Sequence, residues 1–359
     1  MDVRNEATRR LGITQPIVQG PFGGGLSTAK LAATVANLGG LGSFGAHTLR
    51  PDQFANIANE IRALTAKSFA LNLWVSDHDE GGLSIGQAEF DRIFAAFAPY
   101  FRELGLEKPA MPELYHQHFH EQVDALIEVA PPAFSFVFGI PAPAILAKCR
   151  QRNIVTIGAA TSIAEAEALD AAGVDLIVAT GFEAGGHRPS FLARAEDSLM
   201  GTFALTQLVS RRVKAPVIAA GGIADGRGIR AALTLGAQAA QIGTAFLACE
   251  ESGTTPEHRA VLFSDQARRT TLTRSFSGRL ARGVRNRWVE EMAARSAELP
   301  PFPIQSWFVS QLRPAAVEAG RTDLVSLWGG QIAPNLRHRK AGDLMQSLIG
   351  ETAALESAL

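Results

Sequence analysis

Two short glycine turns and one histidine carry most of the chemistry in this sequence. Ala220-Gly221-Gly222-Ile223 and Gln241-Ile242-Gly243-Thr244 each close an apolar run and lead into a helical pattern. Bare glycine lets backbone N–H groups approach phosphate oxygens, and a following helix adds the positive end of its dipole. The Thr244 hydroxyl offers one further donor. Either turn alone is better explained by a tight bend. Two such turns ending consecutive strands point to a single phosphate held between them.

A third stretch is richer: Thr180-Gly181-Phe182-Glu183-Ala184-Gly185-Gly186-His187-Arg188-Pro189. Gly185 and Gly186 let a loop lie against a flat ligand, and His187 can then project toward it. Histidine titrates near neutrality and can accept a proton or bind an anion. A lone histidine is more often structural, so its place after two glycines at a strand end is what favours catalysis. Arg188 is read as a solvated side chain. Asn72 interrupts the apolar run Phe69 to Val75, and its amide offers a ring edge both a donor and an acceptor. Phe22 and Gly23, with Gly24 and Gly25, would let the chain pass close to a ring system.

Strands and helices must bring these residues together. Apolar runs occur at Pro16 to Gly20, Leu41 to Gly45, Phe69 to Val75, Phe134 to Gly139, Ile154 to Gly158, Asp175 to Thr180, Pro216 to Ala220 and Ala239 to Gly243. Helical patterns separate them, with caps expected at Ser27 and at Thr161 or Ser162, Pro141 as a first-turn proline, and a helix running from Asp225 towards Gly236. Eight runs in unbroken βα alternation predict a closed (β/α)8 TIM barrel, whose chemistry sits at the C-terminal ends of the strands, with phosphate often bound after the seventh and eighth. The barrel is expected over residues 1–248, with an insertion at about 77–119. Beyond it, 249–359 reads as helices and loops, a helical C-terminal cap or extension.

Bulk properties exclude several partners. Lys and Arg (34) balance Asp and Glu (35), so no positive field draws nucleic acid or an anionic membrane. No run reaches the ~20 apolar residues of a membrane span, and the charged start Met1 to Arg10 lacks a secretory h-region. Cys149 and Cys249 suit a reduced, cytoplasmic setting as small hydrophobes. His116 and His120 fall one helical turn apart. No cysteine adjoins them and the pattern reads as an exposed amphipathic helix, so no metal is expected.

Taken together, these stretches resemble the nitronate monooxygenase family (formerly 2-nitropropane dioxygenases), and its class I members in particular. The resemblance rests on PIVQGPFGGG, NLWV, GFEAGGHRP, AAGGIADGRG, QIGTAFL, the segment Phe276 to Gly283 (FSGRLARG) and Leu327 to Gln331 (LWGGQ). It implies an FMN-dependent oxidation of alkyl nitronates or related nitro compounds by dioxygen, giving carbonyl compounds and nitrite. His187 occupies the family's catalytic histidine position. The cofactor set is Phe22, Gly23, Asn72, Thr180, Gly185, Gly186, Gly221, Gly222, Gln241, Ile242, Gly243 and Thr244. The partners are a small nitronate or nitroalkane and dioxygen, with a homo-oligomer left open.

Several positions depart from the family pattern. Val137 stands where class I relatives carry a second active-site histidine, and Thr180 aligns with a flavin-contacting glutamine. The segment Gln305 to Gln311 lacks the family's tyrosines, since this chain has only Tyr100 and Tyr115. These departures keep open an NAD(P)H-dependent FMN reductase acting on a quinone or an enoyl thioester. The rival from another class is a non-catalytic barrel that binds a phosphorylated ligand or serves as an assembly partner. Trp307 and Trp328 read as packing residues, though either could roof a pocket. Arg274, Arg279, Arg282, Arg285 and Arg287 form a basic run expected to be mostly solvated or paired.

Overall fold

Short runs rich in Ile, Val, Phe and Leu become parallel strands when both faces are covered, because no polar face needs to alternate with an apolar one. In the computed structural model, which describes residues 5–76 and 85–356, they form β1 (Ile17–Gln19), β2 (Gly42–Gly45), β3 (Phe69–Trp74), β4 (Ala133–Val137), β5 (Val155–Ala160), β6 (Leu176–Thr180), β8 (Val217–Ala220) and β9 (Ala239–Ile242). Their order, β1-β9-β8-β6-β5-β4-β3-β2, is parallel throughout. A parallel bridge between Val18 and Leu41 joins the two ends. The sheet closes on itself as a TIM barrel.

The intervening helices are α1 (Glu6–Leu11), α2 (Ala29–Asn37), α3 (Phe54–Leu64), α4 (Gln87–Glu103), α5 (Phe119–Val129), α6 (Pro143–Gln151), α7 (Ile163–Ala171), α8 (Thr202–Ser210), α9 (Gly226–Thr234) and the single turn α10 (Thr244–Leu247). Asp225 and Ser162 cap α9 and α7 through their side-chain oxygens. Two expected boundary residues differ. Thr28, not Ser27, caps α2, while the Ser27 hydroxyl accepts from the Phe22 and Gly45 amides. Pro143, not Pro141, is the first-turn proline of α6. His116 precedes α5, so the spacing to His120 does not put both rings on one helix face.

Apolar side chains fill two concentric layers. Inside the barrel lie Val18, Leu41, Ile157, Leu176, Val178 and Ile218, and α1 plugs the lower end with Ala7 and Leu11. Asn5 Nδ2 and the Ala7 amide hold α1 to the Gln238 carbonyl and side chain. Between strands and helices lie larger residues such as Phe54, Phe69, Phe134 and Phe136. Each such ring or branched chain contributes roughly 2 kcal/mol when fully buried. Both cysteines belong to this packing, and burial pushes their thiols up to about 11 (Cys149) and about 12 (Cys249).

The segment after Leu247 departs from the helix-and-loop expectation. Besides α11 (Pro256–Leu262), α12 (Arg287–Ala293), α13 (Ile304–Glu318) and α14 (Ala341–Glu356), it contains β10 (Thr270–Thr273) and β11 (Ala281–Val284). These pair antiparallel, and β11 also pairs with β7 (Gly186–His187), which lies in the loop after β6. Such a ladder joins partners about ninety residues apart and leaves no local periodicity to detect. α4 packs with α12 and α13 through Phe90, Phe97, Trp288 and Phe308. The start of the expected insertion, 77–84, lies outside the described residues. Among the described residues no helix is long and apolar enough to cross a membrane.

Candidate active site

The upper mouth of the barrel, opposite α1, holds a cavity of about 350 Å³, within the range of small-molecule sites. Strand ends supply most of its wall. Gly221 and Gly222 after β8, and Gln241, Gly243 and Thr244 at the end of β9, face the same space as Asn72, Thr180, Gly185, Gly186 and His187. Phe22 and Gly23, from the loop after β1, complete the set. Ile242 is not brought to the cavity: its side chain is fully buried in the layer beneath the helices.

The two glycine turns leave room rather than filling it. Gly222 holds φ +69°, and a Cβ there would meet nothing nearer than 3.9 Å; the same clearance applies at Gly243. Thr244 Oγ1 accepts from the Gly330 amide at 2.9 Å, so its own proton stays free to be donated. Glu183 is the one carboxylate on the cavity wall among the described residues. Both its oxygens accept from the Thr202 amide at 3.0 Å, at the start of α8. Its charge is thus held by the amide and hydroxyl of Thr202 at a helix N-terminus.

His187 stands at the rim of this space. Its Nε2 lies 2.7 Å from Ser277 Oγ. The ring meets Trp74 edge-on at 4.8 Å and Trp328 at 5.3 Å. Burial, then the nearby His47 and the Arg279 cation, pull the His187 pKa down to about 3. The imidazole is neutral at pH 7 and presents one donor and one acceptor. β7 pairs His187 with Ala281, so the loop that carries the histidine is fastened into the β10–β11 hairpin.

Arg188 overturns its expected exposure. It is 1% exposed, donating to the Thr180 carbonyl at 2.9 Å and the Ser198 carbonyl at 2.8 Å. The guanidinium ties the end of β6 to the loop after it, so a buried fork braces the peptide that bears His187. Arg282 does similar work, donating to the Phe182 carbonyl at 2.9 Å. Of the basic run, Arg274 and Arg287 are paired with Glu196 and Glu103 as expected. Arg279 lies 3.9 Å over the Phe138 ring.

Some expected roles change hands. The ring that Gly23 makes room for belongs to this chain: a Cβ on Gly23 would lie 1.8 Å from His47 Cε1. Gly185 serves a close approach to the tail, since its Cβ would fall 2.5 Å from the Gly330 amide nitrogen. Asn72 Nδ2 donates to Ser135 Oγ at 3.0 Å, leaving its carbonyl oxygen for the cavity. Trp328 lines the cavity, whereas Trp307 packs among the α4 and α13 aromatics. Val137, Phe138 and Trp74 make an apolar wall, and no tyrosine lines the cavity among the described residues.

Sequence reasoning missed His47, Ser277 and Arg313. His47 follows β2 by two residues, so the strand-end rule that singled out His187 could also have found it. Ser277 and Arg313 come from the tail, where nothing local announces which face meets the barrel. Arg313 Nη1 donates to the Gly24 carbonyl at 2.6 Å beside the cavity.

Comparison with known proteins agrees with this geometry. The nitronate monooxygenase family model matches residues 5–351. A probable nitronate monooxygenase of Staphylococcus aureus is 38% identical over 349 residues, 97% of each chain. Among solved structures, a nitroalkane oxidase from Streptomyces ansochromogenes superposes with a TM-score of 0.88 at 33% identity, covering 96% of this chain and 98% of that one. FabK from Thermotoga maritima superposes with a TM-score of 0.76 at 28% identity, covering 99% and 98%. With the family model spanning nearly its whole length, and a TIM barrel whose strand-end glycines and histidine open on one cavity, the chain belongs to the nitronate monooxygenase family of oxidoreductases.

Proposed function

We propose that this cavity binds FMN and that the enzyme oxidises alkyl nitronates with dioxygen to a carbonyl compound and nitrite. The observation that carries the reading is convergence: the turns at Gly221-Gly222 and Gly243-Thr244 open on the same cavity as His187. The donor set suits a phosphate monoester, since it consists of backbone amides and a hydroxyl, with the one carboxylate that lines the cavity among the described residues already engaged. Asn72, Thr180 and Gln241 offer polar groups to a ring edge, and Gly186 leaves the loop open toward it. Bound FMN would supply the electron acceptor for the substrate and the donor for dioxygen.

The chain's own residues do the remaining work. Neutral His187 donates one hydrogen bond to a nitronate oxygen, which orients the anion; for a neutral nitroalkane the tautomer with its lone pair toward the ligand would take the α-proton. Ser277 holds the Nε2 side of that ring, leaving Nδ1 for the ligand. Trp74, Phe138, Phe276 and Trp328 limit water around the reacting carbon.

The apolar wall at Val137 and Phe138 favours one second reading: an NAD(P)H-dependent FMN reductase acting on a quinone or enoyl thioester. Anaerobic mixing separates the two. Bleaching of the flavin spectrum by ethylnitronate alone supports the oxidase. Bleaching by NADH or NADPH, with none by the nitronate, replaces it with the reductase. Purified protein that is colourless and does not take up added FMN overturns both.

A further inference from the structure

One buried histidine takes no part in the cavity wall, yet it reaches a residue that does. Thr255 caps α11 and accepts from the His258 amide at 3.2 Å, and the first turn of this helix carries His258 inward, where it is 4% exposed. Its Nε2 lies 2.9 Å from the carbonyl oxygen of Trp328, seventy positions along the chain. A carbonyl only accepts, so the bond requires the proton on Nε2, and His258 is the donor.

Trp328 is where the tail meets the cavity. Its indole lines that space, 5.3 Å from the His187 ring and 5.5 Å from the Phe276 ring. The backbone around it is pinned on both sides. The Leu327 carbonyl accepts from the Val284 amide at 2.8 Å, and the Gly330 amide donates to Thr244 Oγ1 at 2.9 Å. The Gln331 amide donates to the Glu183 carbonyl at 3.0 Å. The Trp328 carbonyl, between them, goes to His258. Peptide units are planar, so the planes before and after the Trp328 Cα are each fixed by one hydrogen bond. Two fixed planes leave the Cβ, and the indole on it, one direction.

We propose that His258 is a positioning residue of the active site, which holds the Trp328 indole in the wall beside His187 by donating from Nε2 to the Trp328 carbonyl. The consequence for turnover rests on the nitronate reading above, whereas the consequence for the indole does not. Burial, with Arg313 and Arg259 nearby, lowers the His258 pKa to about 4 against the opposing pull of the Trp328 bond. The ring is therefore neutral at pH 7, with a single proton to give. Without that donor the Trp328 peptide turns to regain a partner, and the indole turns with it.

Fluorine NMR of the holoenzyme labelled with 5-fluorotryptophan reads the indole directly. The chain has four tryptophans, and the Trp328 resonance is identified by its loss in Trp328→Phe. His258→Leu removes the donor and should shift that resonance, with flavin content unchanged. The resonance of Trp307, which packs among the α4 and α13 aromatics, should stay in place. His258→Gln keeps an amide donor within reach of the same carbonyl and should return the Trp328 resonance toward its wild-type position. With ethylnitronate, kcat/KM should fall about tenfold in His258→Leu and recover to within about twofold of wild type in His258→Gln.

A Trp328 resonance that stays still in His258→Leu, or a loss of turnover as large in His258→Gln as in His258→Leu, would overturn the inference. If His258→Leu does not fold, ¹⁵N-histidine spectra of the wild-type protein decide. The His258 signals, identified by their loss in His258→Gln, should be those of the Nε2–H tautomer, and an Nδ1–H tautomer would overturn the inference as well. An indole that moves in His258→Leu, in a protein that oxidises no nitronate, would sink the functional reading and leave this one standing.

Discussion

His187 Nε2 and Ser277 Oγ stand 2.7 Å apart, although ninety positions separate them in the chain. The contact joins the loop after β6 to the tail, and it fixes which ring nitrogen is left for a ligand. Ser277→Ala should retain flavin and fold normally, yet lower kcat about five- to tenfold, as one lost hydrogen bond of about 1 kcal/mol allows. His187→Asn should cost on the order of a hundredfold or more. Steady-state assays with ethylnitronate test both. Equal losses in the two variants would show that Ser277 does more than orient the ring.

The glycine turns should govern cofactor retention rather than chemistry. Gly222→Ala places a Cβ at φ +69°, a left-handed conformation that costs an L-residue roughly 1–2 kcal/mol. Gly243→Val carries no such strain but pushes a branched side chain toward the Phe22 ring, across the open space. Both should lower flavin content after desalting, read as absorbance near the flavin band relative to protein, while far-UV circular dichroism stays native. Full flavin occupancy in both variants would remove the phosphate from this end of the cavity.

Arg188→Met keeps the volume of the side chain and deletes its donors. The Thr180 and Ser198 carbonyls then stay buried without their partner. Urea unfolding should show a loss of about 2–3 kcal/mol. Activity should also fall, because the guanidinium braces the loop that carries His187. A variant as stable as wild type would mean that water replaces the fork.

Acidification should weaken the fold through its buried histidines. Burial first lowers His187, helped by His47 and Arg279, and lowers His47, helped by Arg279 and His116, each to about 3, and burial lowers His258 to about 4. Below pH ~6.5 the unfolded chain takes up protons at these positions while the folded chain does not. Stability is therefore full above that pH and declines as pH falls from about 6.5 toward 4. Thermal midpoints measured at pH 7.5, 6 and 5 should decrease in that order. His258→Gln, away from the cavity, should flatten the decline, whereas an unchanged slope would mean that carboxylates alone set it.

Much of this molecule was legible in one dimension. Strand and helix periodicities are local, so alternating runs from Pro16 to Gly243 announced a barrel whose strands begin and end within one or two residues of the expected places. Turn chemistry is local as well, which is why Gly222, Gly243 and His187 could be singled out and why they meet at one mouth. The family's motifs added the reaction class, and the comparisons support it.

What stayed hidden involves contacts between distant segments. Arg188 looks like any surface arginine until β6 and the loop beyond it fold around its guanidinium. The short strands β7, β10 and β11 exist only because they find one another, since two to four residues hold no pattern of their own. Gly23 announces that something lies close by, but only packing reveals that a histidine of the same chain is one of its neighbours. Periodicity follows from bonds between near neighbours along the chain. The filling of a cavity depends on which distant side chains arrive there, and that is settled by closing the barrel and docking the tail across it.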